Sequence, residues 1–347
     1  MTSLLNFSEF LDGIPVPALL VDVDHLIVAA NQAACQLFLR DMVGVRFVRV
    51  LRHPDALACI ADAGGTDKLV RRQITLETPV QQVFECTAFA LNERVLFTMT
   101  DVSPLLVVQR SRSDFVANVS HELRSPLATL SGIIETLKGP ARDDESARAK
   151  FLDIMHLEAV RMTRLIGDLL SLSKLEAKQH EQPADPLDIY ALITRVKDAL
   201  SVRFVAKGRE IEVICTQKVK DIVGDEDELI EVFQNLLENA LKYSAPPNPV
   251  TIRIVQNPMA GSAEASRIAI EVEDFGEGIE RHHIPRLTER FYRVDKGRSR
   301  EIGGTGLGLA ITKHIVHRHR GLLQINSERG KGTTVTVQLP IWRPANK

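Results

Sequence analysis

The 347-residue chain has little cysteine: only Cys35, Cys59, Cys86 and Cys215, widely spread and never at CxxC spacing. This argues against the close thiol pairs of zinc ribbons and redox centres, and predicts reduced, mostly buried thiols in a cytoplasmic setting. A basic excess is also lacking. Lys and Arg number 43 against 45 Asp and Glu, for a net charge of −2, so the many phosphates of a nucleic acid would go unneutralised and direct nucleic-acid binding is not expected. No apolar run approaches the roughly 18 to 20 residues needed to cross a bilayer, and the N-terminus has no basic segment leading into an apolar core. The chain is therefore expected to be soluble and without a membrane span, while membrane association through an upstream segment stays compatible with it.

What is present is the composition of an ordinary globular protein, 44% hydrophobic and 25% charged, at a length that predicts two or three folded units. Residues 1–102 carry short apolar runs, ALLVDVD at 18–24, LIVAAN at 26–31, VFECTAFAL at 83–91 and RVLFTMT at 94–100, with a helical stretch at 32–38. This predicts a small α+β domain. Its order of strand, turn, strand and Asn31 opening a helix resembles a PAS sensory domain, but no haem-type His or flavin-type Cys motif names a ligand. Cys35 and Cys59 read as core residues.

Residues 103–181 change to helical periodicity, with long helices expected at 105–138 and 147–178 around the polar break GPARDDES. Phe115, Val119, Leu123, Leu127, Leu130 and Ile134 form one stripe; Phe151, Ile154, Leu157, Met162, Leu165, Leu169 and Leu172 form another. Two helices bury such stripes poorly, so an antiparallel hairpin completing a four-helix bundle in a homodimer is predicted. Pro126 lacks an amide hydrogen and predicts a kink beyond His121. After the linker QPADP, residues 182–347 alternate helices and strands, as an α/β sandwich does.

Four segments carry chemistry. FVANVSHELRSPLATL at 115–130 puts His121 on an amphipathic helix beside Glu122, where a neutral imidazole could act as nucleophile with a carboxylate holding its other nitrogen. In EVFQNLLENALKYS at 231–244, Asn235 and Asn239 share a helix face with Lys242 one turn on, and amide oxygens near an ammonium suit Mg2+ and a triphosphate. EDFGEGIE at 273–280 ends a strand in Asp274, able to accept from an amino group, with Gly276 and Gly278 permitting close approach of a flat ligand. GGTGLGLA at 303–310 is a glycine turn opening a helix, suited to phosphate, with the Thr305 hydroxyl as an added donor. Neither Walker nor Rossmann spacing fits it, and DFG stands here without the VAIK, HRD and glycine-loop motifs of serine/threonine/tyrosine kinases.

In this order the segments resemble the bacterial sensor histidine kinase family: SHELRSPL at 120–127 the H box, NLLENALKYS at 235–244 the N box, DFGEG at 274–278 the G1 box, RFYR at 290–293 the F box and GGTGLGLA the G2 box. ERFYRVDKGRSREI at 289–302, polar and basic between the two glycine motifs, has the composition of a lid over a triphosphate, and its RFYRVDKGRSR is most similar to the branch containing phosphate-regulon sensors. The resemblance implies that His121 is the phospho-acceptor and Glu122 orients or deprotonates it. Asn239 would ligate Mg2+ with Asn235 nearby, Lys242 would contact phosphate, and Tyr243 would pack near the nucleotide. Asp274 would read the adenine amine, and Gly276, Gly278, Gly304, Thr305, Gly306, Leu307 and Gly308 would line the pocket. Ser125 stands where the family commonly has Thr, keeping the hydroxyl associated with dephosphorylating the partner. The fold implied for 182–347 is the Bergerat-type ATP-binding sandwich shared by gyrase, the Hsp90 chaperones, histidine kinases and MutL. The implied cofactors are ATP and Mg2+, and the implied partner is a response regulator with a receiver domain. His314, His317 and His319 are spaced around a helix and read as solvated; His282 and His283 read as exposed, and His156 and His180 as lacking partners.

Overall fold

The structure is a computed structural model that describes residues 5–39, 41–66, 68–77, 81–178, 181–204, 208–217, 219–244, 248–257, 267–295 and 304–343. It divides into two compact units, Met1–Ala117 and Asn118–Lys347.

The first unit is built on one antiparallel sheet. Helix α1 (Leu5–Asp12) precedes β1 (Ala18–Asp22) and β2 (Ile27–Ala30); α2 (Gln32–Phe38), α3 (Phe47–Val50) and α4 (Pro54–Gly64) follow, then β3 (Val70–Glu77), β4 (Gln81–Leu91) and β5 (Arg94–Asp101), in sheet order β2-β1-β5-β4-β3. Alternate residues of β4 and β5, Phe84, Cys86 and Ala88 with Val95, Phe97 and Met99, face one core. Ala56, Cys59, Ile60 and Ala63 of α4 complete it, and Phe47 meets Phe97 edge-on at 5.0 Å between ring centroids. Cys59 is fully buried and Cys35 partly so, as expected of core residues.

Asn31 fixes how α2 leaves β2. Its Oδ1 accepts from Ala34 N at 2.9 Å, the N-cap bond, and from Ala18 N at 3.0 Å, while its Nδ2 donates to the carbonyls of Ile14 and Val16 at 3.0 and 2.8 Å. The buried amide is thus satisfied on both sides, which a buried polar side chain requires.

Helix α5 (Ser103–Lys138) runs on into the second unit and continues through Pro126. The amide hydrogen that Pro126 lacks would have bonded the carbonyl of Glu122, so the helix ladder is open beside His121. Helix α6 (Glu145–Ala177) starts at Asp144, whose carboxylate caps Ala147 N at 3.0 Å. Leu165, Leu172 and Leu175 of α6 are buried, whereas Leu127, Leu152, Leu157, Val160, Ile166 and Leu170 leave large apolar surfaces along the hairpin uncovered.

The rest of the unit is a helix-on-sheet sandwich. β7 (Ile211–Cys215), β9 (Val250–Asn257), β10 (Arg267–Asp274), β11 (Leu322–Glu328) and β12 (Gly332–Pro340) form a sheet in the order β11-β12-β10-β9-β7, antiparallel except for the β7/β9 pair. β6 (Pro186–Leu187) and β8 (Ile222–Val223) make a separate two-stranded ribbon. Among the packed helices, α8 (Glu226–Tyr243) contacts α7 (Ile189–Phe204), α9 (Gly308–Arg318), β9 and β10. Its stripe of Leu229, Val232, Phe233, Leu236, Leu237, Ala240 and Leu241 is buried, as are Ile252 and Ile254 of β9 and Ile268, Ile270 and Val272 of β10, the two strands it contacts.

Candidate functional site

The amphipathic pattern of α8 decides which side chains reach the site. With the leucines turned inward, Asn235, Glu238, Asn239, Lys242 and Tyr243 lie along a cavity of about 470 Å³. Asp225 starts the helix by accepting from Glu228 N at 3.2 Å, so the register of these polar residues is set from the cap onward. Lys242 Nζ donates to Glu238 Oε2 at 3.2 Å. Burial pushes the Glu238 carboxyl up, but Lys242 and the Gln234 amide pull it down further, leaving it below the usual range.

The end of β10 supplies the opposite wall. Asp274 is half-buried, its Oδ1 accepts from Gly276 N at 2.9 Å, and burial raises its pKa above that of an ordinary aspartate. Glycine is required after it for two separate reasons. A methyl on Gly276 would strike the carbonyl oxygen of Tyr243, where Ser244 and Gly276 form an isolated bridge. Gly278 sits at φ +66° with the carbonyl of Glu328 where its Cβ would be. The third wall is the turn into α9: Gly304, Thr305, Gly306 and Gly308 line the cavity, and Leu307 anchors them from the core, fully buried.

The structure thus gathers Asn235, Asn239, Lys242, Tyr243, Asp274, Gly278, Gly304, Thr305, Gly306 and Gly308 around one cavity. Gly276 and Leu307 shape it from behind. His121, Glu122 and Ser125 lie on α5 and are not among the lining residues, with the His121 ring exposed. Gly303, His180 and residues 296–302 of the lid lie outside the described residues.

Sequence reasoning missed the residues that α6 brings to the cavity, Arg164 and Asp168. Thr305 Oγ1 donates to Asp168 Oδ2 at 2.6 Å, and burial raises the pKa of Asp168. Glu122 is met at one oxygen by Arg161 at 3.1 Å and by Arg293 at 3.2 Å, the latter from the RFYR segment. Arg318 Nε donates to the carbonyls of Lys178 and Glu181 at 3.3 and 2.8 Å, bonding the chain between α6 and the linker to α9. Nothing in the local spacing of α6 marks Asp168, since its partner is 137 residues away.

His319 corrects the reading of a solvated histidine face. It is buried, accepts at Nε2 from Asp225 N at 3.0 Å, and therefore carries its proton on Nδ1, which donates to Ile315 O at 2.8 Å. Burial lowers its pKa, as it does that of half-buried His314, while His317 is exposed. A run of polar residues at the end of a helix does not reveal that the last of them turns under the next element.

Residues 111–178 match the His Kinase A phospho-acceptor domain model, and residues 224–343 match the model of histidine kinase-, DNA gyrase B- and HSP90-like ATPases. The phosphate regulon sensor protein PhoR of Pseudomonas aeruginosa is 37% identical over 270 residues, 77% of this chain and 59% of PhoR. The chain belongs to the two-component sensor histidine kinases. Sensor protein kinase WalK of Staphylococcus aureus is 35% identical over 331 residues, covering 89% of this chain and 51% of WalK. The chain thus spans about half to three-fifths of these two relatives. The crystal structure of histidine kinase ThkA in complex with response regulator protein TrrA aligns over 100% of both chains with a TM-score of 0.51 at 18% identity, a likeness of fold. This sensor histidine kinase has, among its described residues, no helix long and apolar enough to cross a membrane.

Proposed function

We propose that the chain binds Mg-ATP in the cavity between α8, β10 and α9, phosphorylates its own His121, and passes the phosphoryl group to an aspartate of a response regulator. The observation that carries this reading is the convergence on one cavity of amide oxygens, an ammonium, a half-buried carboxylate and a glycine turn at a helix start, in a chain whose α5 presents an exposed histidine. A volume of about 470 Å³ suits a nucleotide, and the glycine positions leave the backbone bare where a flat base and a polyphosphate would lie.

In this reading Asp274 accepts from the adenine amine. Lys242 and the turn at 304–308 hold phosphate, and Asn239, with Asn235 nearby, supplies an oxygen ligand for Mg2+, which when bound neutralises phosphate charge. The His121 imidazole attacks the γ-phosphorus in line, the bond to the ADP oxygen breaks, and the ring proton leaves through Glu122 or solvent. Catalysis comes mainly from positioning and charge neutralisation. Glu122 bound to Arg293 and Arg161, and Thr305 bound to Asp168, describe an arrangement that must loosen before Glu122 can serve His121. Ser125 keeps the hydroxyl for a dephosphorylating activity toward the regulator.

The organisation we propose is residues 1–102 as a PAS-like sensory domain, 103–181 as the dimerisation and phosphotransfer hairpin, and 182–347 as the catalytic domain, with the whole acting in the cytoplasm. The strand order β2-β1-β5-β4-β3 and the capping role of Asn31 support the PAS-like reading. The uncovered leucines of the hairpin support a homodimer; sedimentation equilibrium should give twice the chain mass, and a monomer at all concentrations would contradict it. The kinase reading is tested with γ-labelled ATP: label should enter the protein only with Mg2+, be lost in Asn239→Ala, and move to a receiver domain. Labelling that persists in Asn239→Ala would contradict the assigned site.

A further inference from the structure

Beside the same cavity, three side chains from four consecutive residues form a cluster that the proposed phosphotransfer does not use. Glu280, His282 and His283 each place a ligand atom within 4.8 Å of the other two. A backbone bond from His283 N to Glu280 O at 2.9 Å closes the turn that gathers them, and the 3-10 turn Ile284–Arg286 follows at once. We propose that this cluster is a binding site for a divalent transition-metal ion of the Zn2+, Ni2+ or Cu2+ class, placed to alter nucleotide entry.

The donor set argues for that class. Two imidazoles and one carboxylate suit borderline ions, whereas Mg2+ takes oxygen ligands. Ligands about 2.1 Å from a tetrahedral ion stand about 3.4 Å apart, so the cluster needs to close by roughly an ångström, which the exposed Glu280 and His282 reach by rotation toward the half-buried His283. His282 Nδ1 already lies 3.5 Å from Glu280 Oε2, and the two imidazole rings are 3.8 Å apart.

An outer layer of partners is also in place. His283 Nδ1 lies 2.5 Å from the Tyr292 hydroxyl, and Arg286 holds the Tyr292 ring with its guanidinium 4.3 Å from the centroid. With its proton on Nδ1, donated to the phenol oxygen, His283 keeps a lone pair on Nε2; metal-binding histidines are commonly oriented through their second nitrogen in this way. Glu280 is shared with the exposed Arg329, which an ion would displace. With three protein ligands, the remaining positions are open to water.

Glu280 and His283 line the nucleotide cavity and His282 does not. Metal binding itself is independent of the ATP reading, whereas its effect on nucleotide rests on that reading. The test is equilibrium dialysis of the metal-stripped full chain against Zn2+, with Co2+ absorption as a second readout of coordination. One equivalent should bind, and His282→Ala and Glu280→Gln should each weaken it at least tenfold. Unchanged binding in both variants, or no binding at micromolar Zn2+, would overturn the site. In the second arm, a fluorescent ATP analogue is titrated at fixed Mg2+ with and without Zn2+. Its affinity should change severalfold in the wild type and not in His282→Ala, which should bind the analogue normally without Zn2+. Zn2+ bound at the cluster with no change in analogue affinity would overturn the effect on nucleotide while leaving the site; failure of the analogue to bind at all would count against the ATP reading alone.

Discussion

Individual residues in the catalytic half are held to narrow tolerances, and two of them give separate tests. Gly276 lies against the Tyr243 carbonyl, so Gly276→Ala must push β10 and α8 apart at the wall of the cavity. Nucleotide affinity should fall at least tenfold, about 1.4 kcal/mol, measured by calorimetric titration, whereas Gly330→Ala, far from any side-chain clash but at φ +83°, should affect stability alone. His319 gives a pH test. Its folded pKa is depressed by burial, so the unfolded state takes up the proton first as pH falls. Its contribution is fully present above the unfolded value of about 6.5 and is lost progressively below it. Half-buried His314 adds to the loss with the same sign. Denaturant midpoints between pH 7.5 and 5.5 should therefore fall less steeply in His319→Gln than in the wild type; equal slopes would contradict the assignment.

At the scale of elements, α8 both builds the core and presents the site, so its apolar and polar faces should separate experimentally. Phe233 is fully buried, and Phe233→Ala should destabilise the second unit by about 3 to 5 kcal/mol, read by denaturant unfolding. The segment 231–244 was legible as helical, and α8 forms over Glu226–Tyr243 because its 3.6-residue stripe, its acidic first turn and the Asp225 cap all agree. The longer strands of the second unit were legible from their short apolar runs, whereas β6, only Pro186–Leu187, lies where the linker was expected to end. In the first unit β3 was not, because VRRQITLE buries only Ile74 and gives no apolar run. Helix α4 was also missed: its core face is made of alanines and a cysteine with Ile60, too small to form a strong stripe. The site residues on α8, β10 and the glycine turn follow from local pattern. Arg164, Asp168 and Arg293 do not: Asp168 and Arg293 are placed by bonds to segments more than a hundred residues away, and Arg164 reaches the cavity from the same helix as Asp168.

At the scale of the whole molecule, an exposed histidine stands on a helical hairpin and a cavity of nucleotide size lies in the sandwich that follows it. The bonds Glu122 to Arg293, Thr305 to Asp168 and Arg318 to the linker carbonyls make the two parts of the second unit one body in this arrangement, and phosphorylation requires them to rearrange. The most direct measurement is incubation of the full chain with Mg2+ and ATP labelled at the γ-phosphate, beside His121→Ala. His121 is exposed and contributes nothing to the cavity lining, so that variant should still bind the nucleotide. Label that is acid-labile, base-stable and absent from His121→Ala is the predicted result; label retained at full level in His121→Ala, or none in a wild-type protein that binds Mg-ATP, would contradict the account.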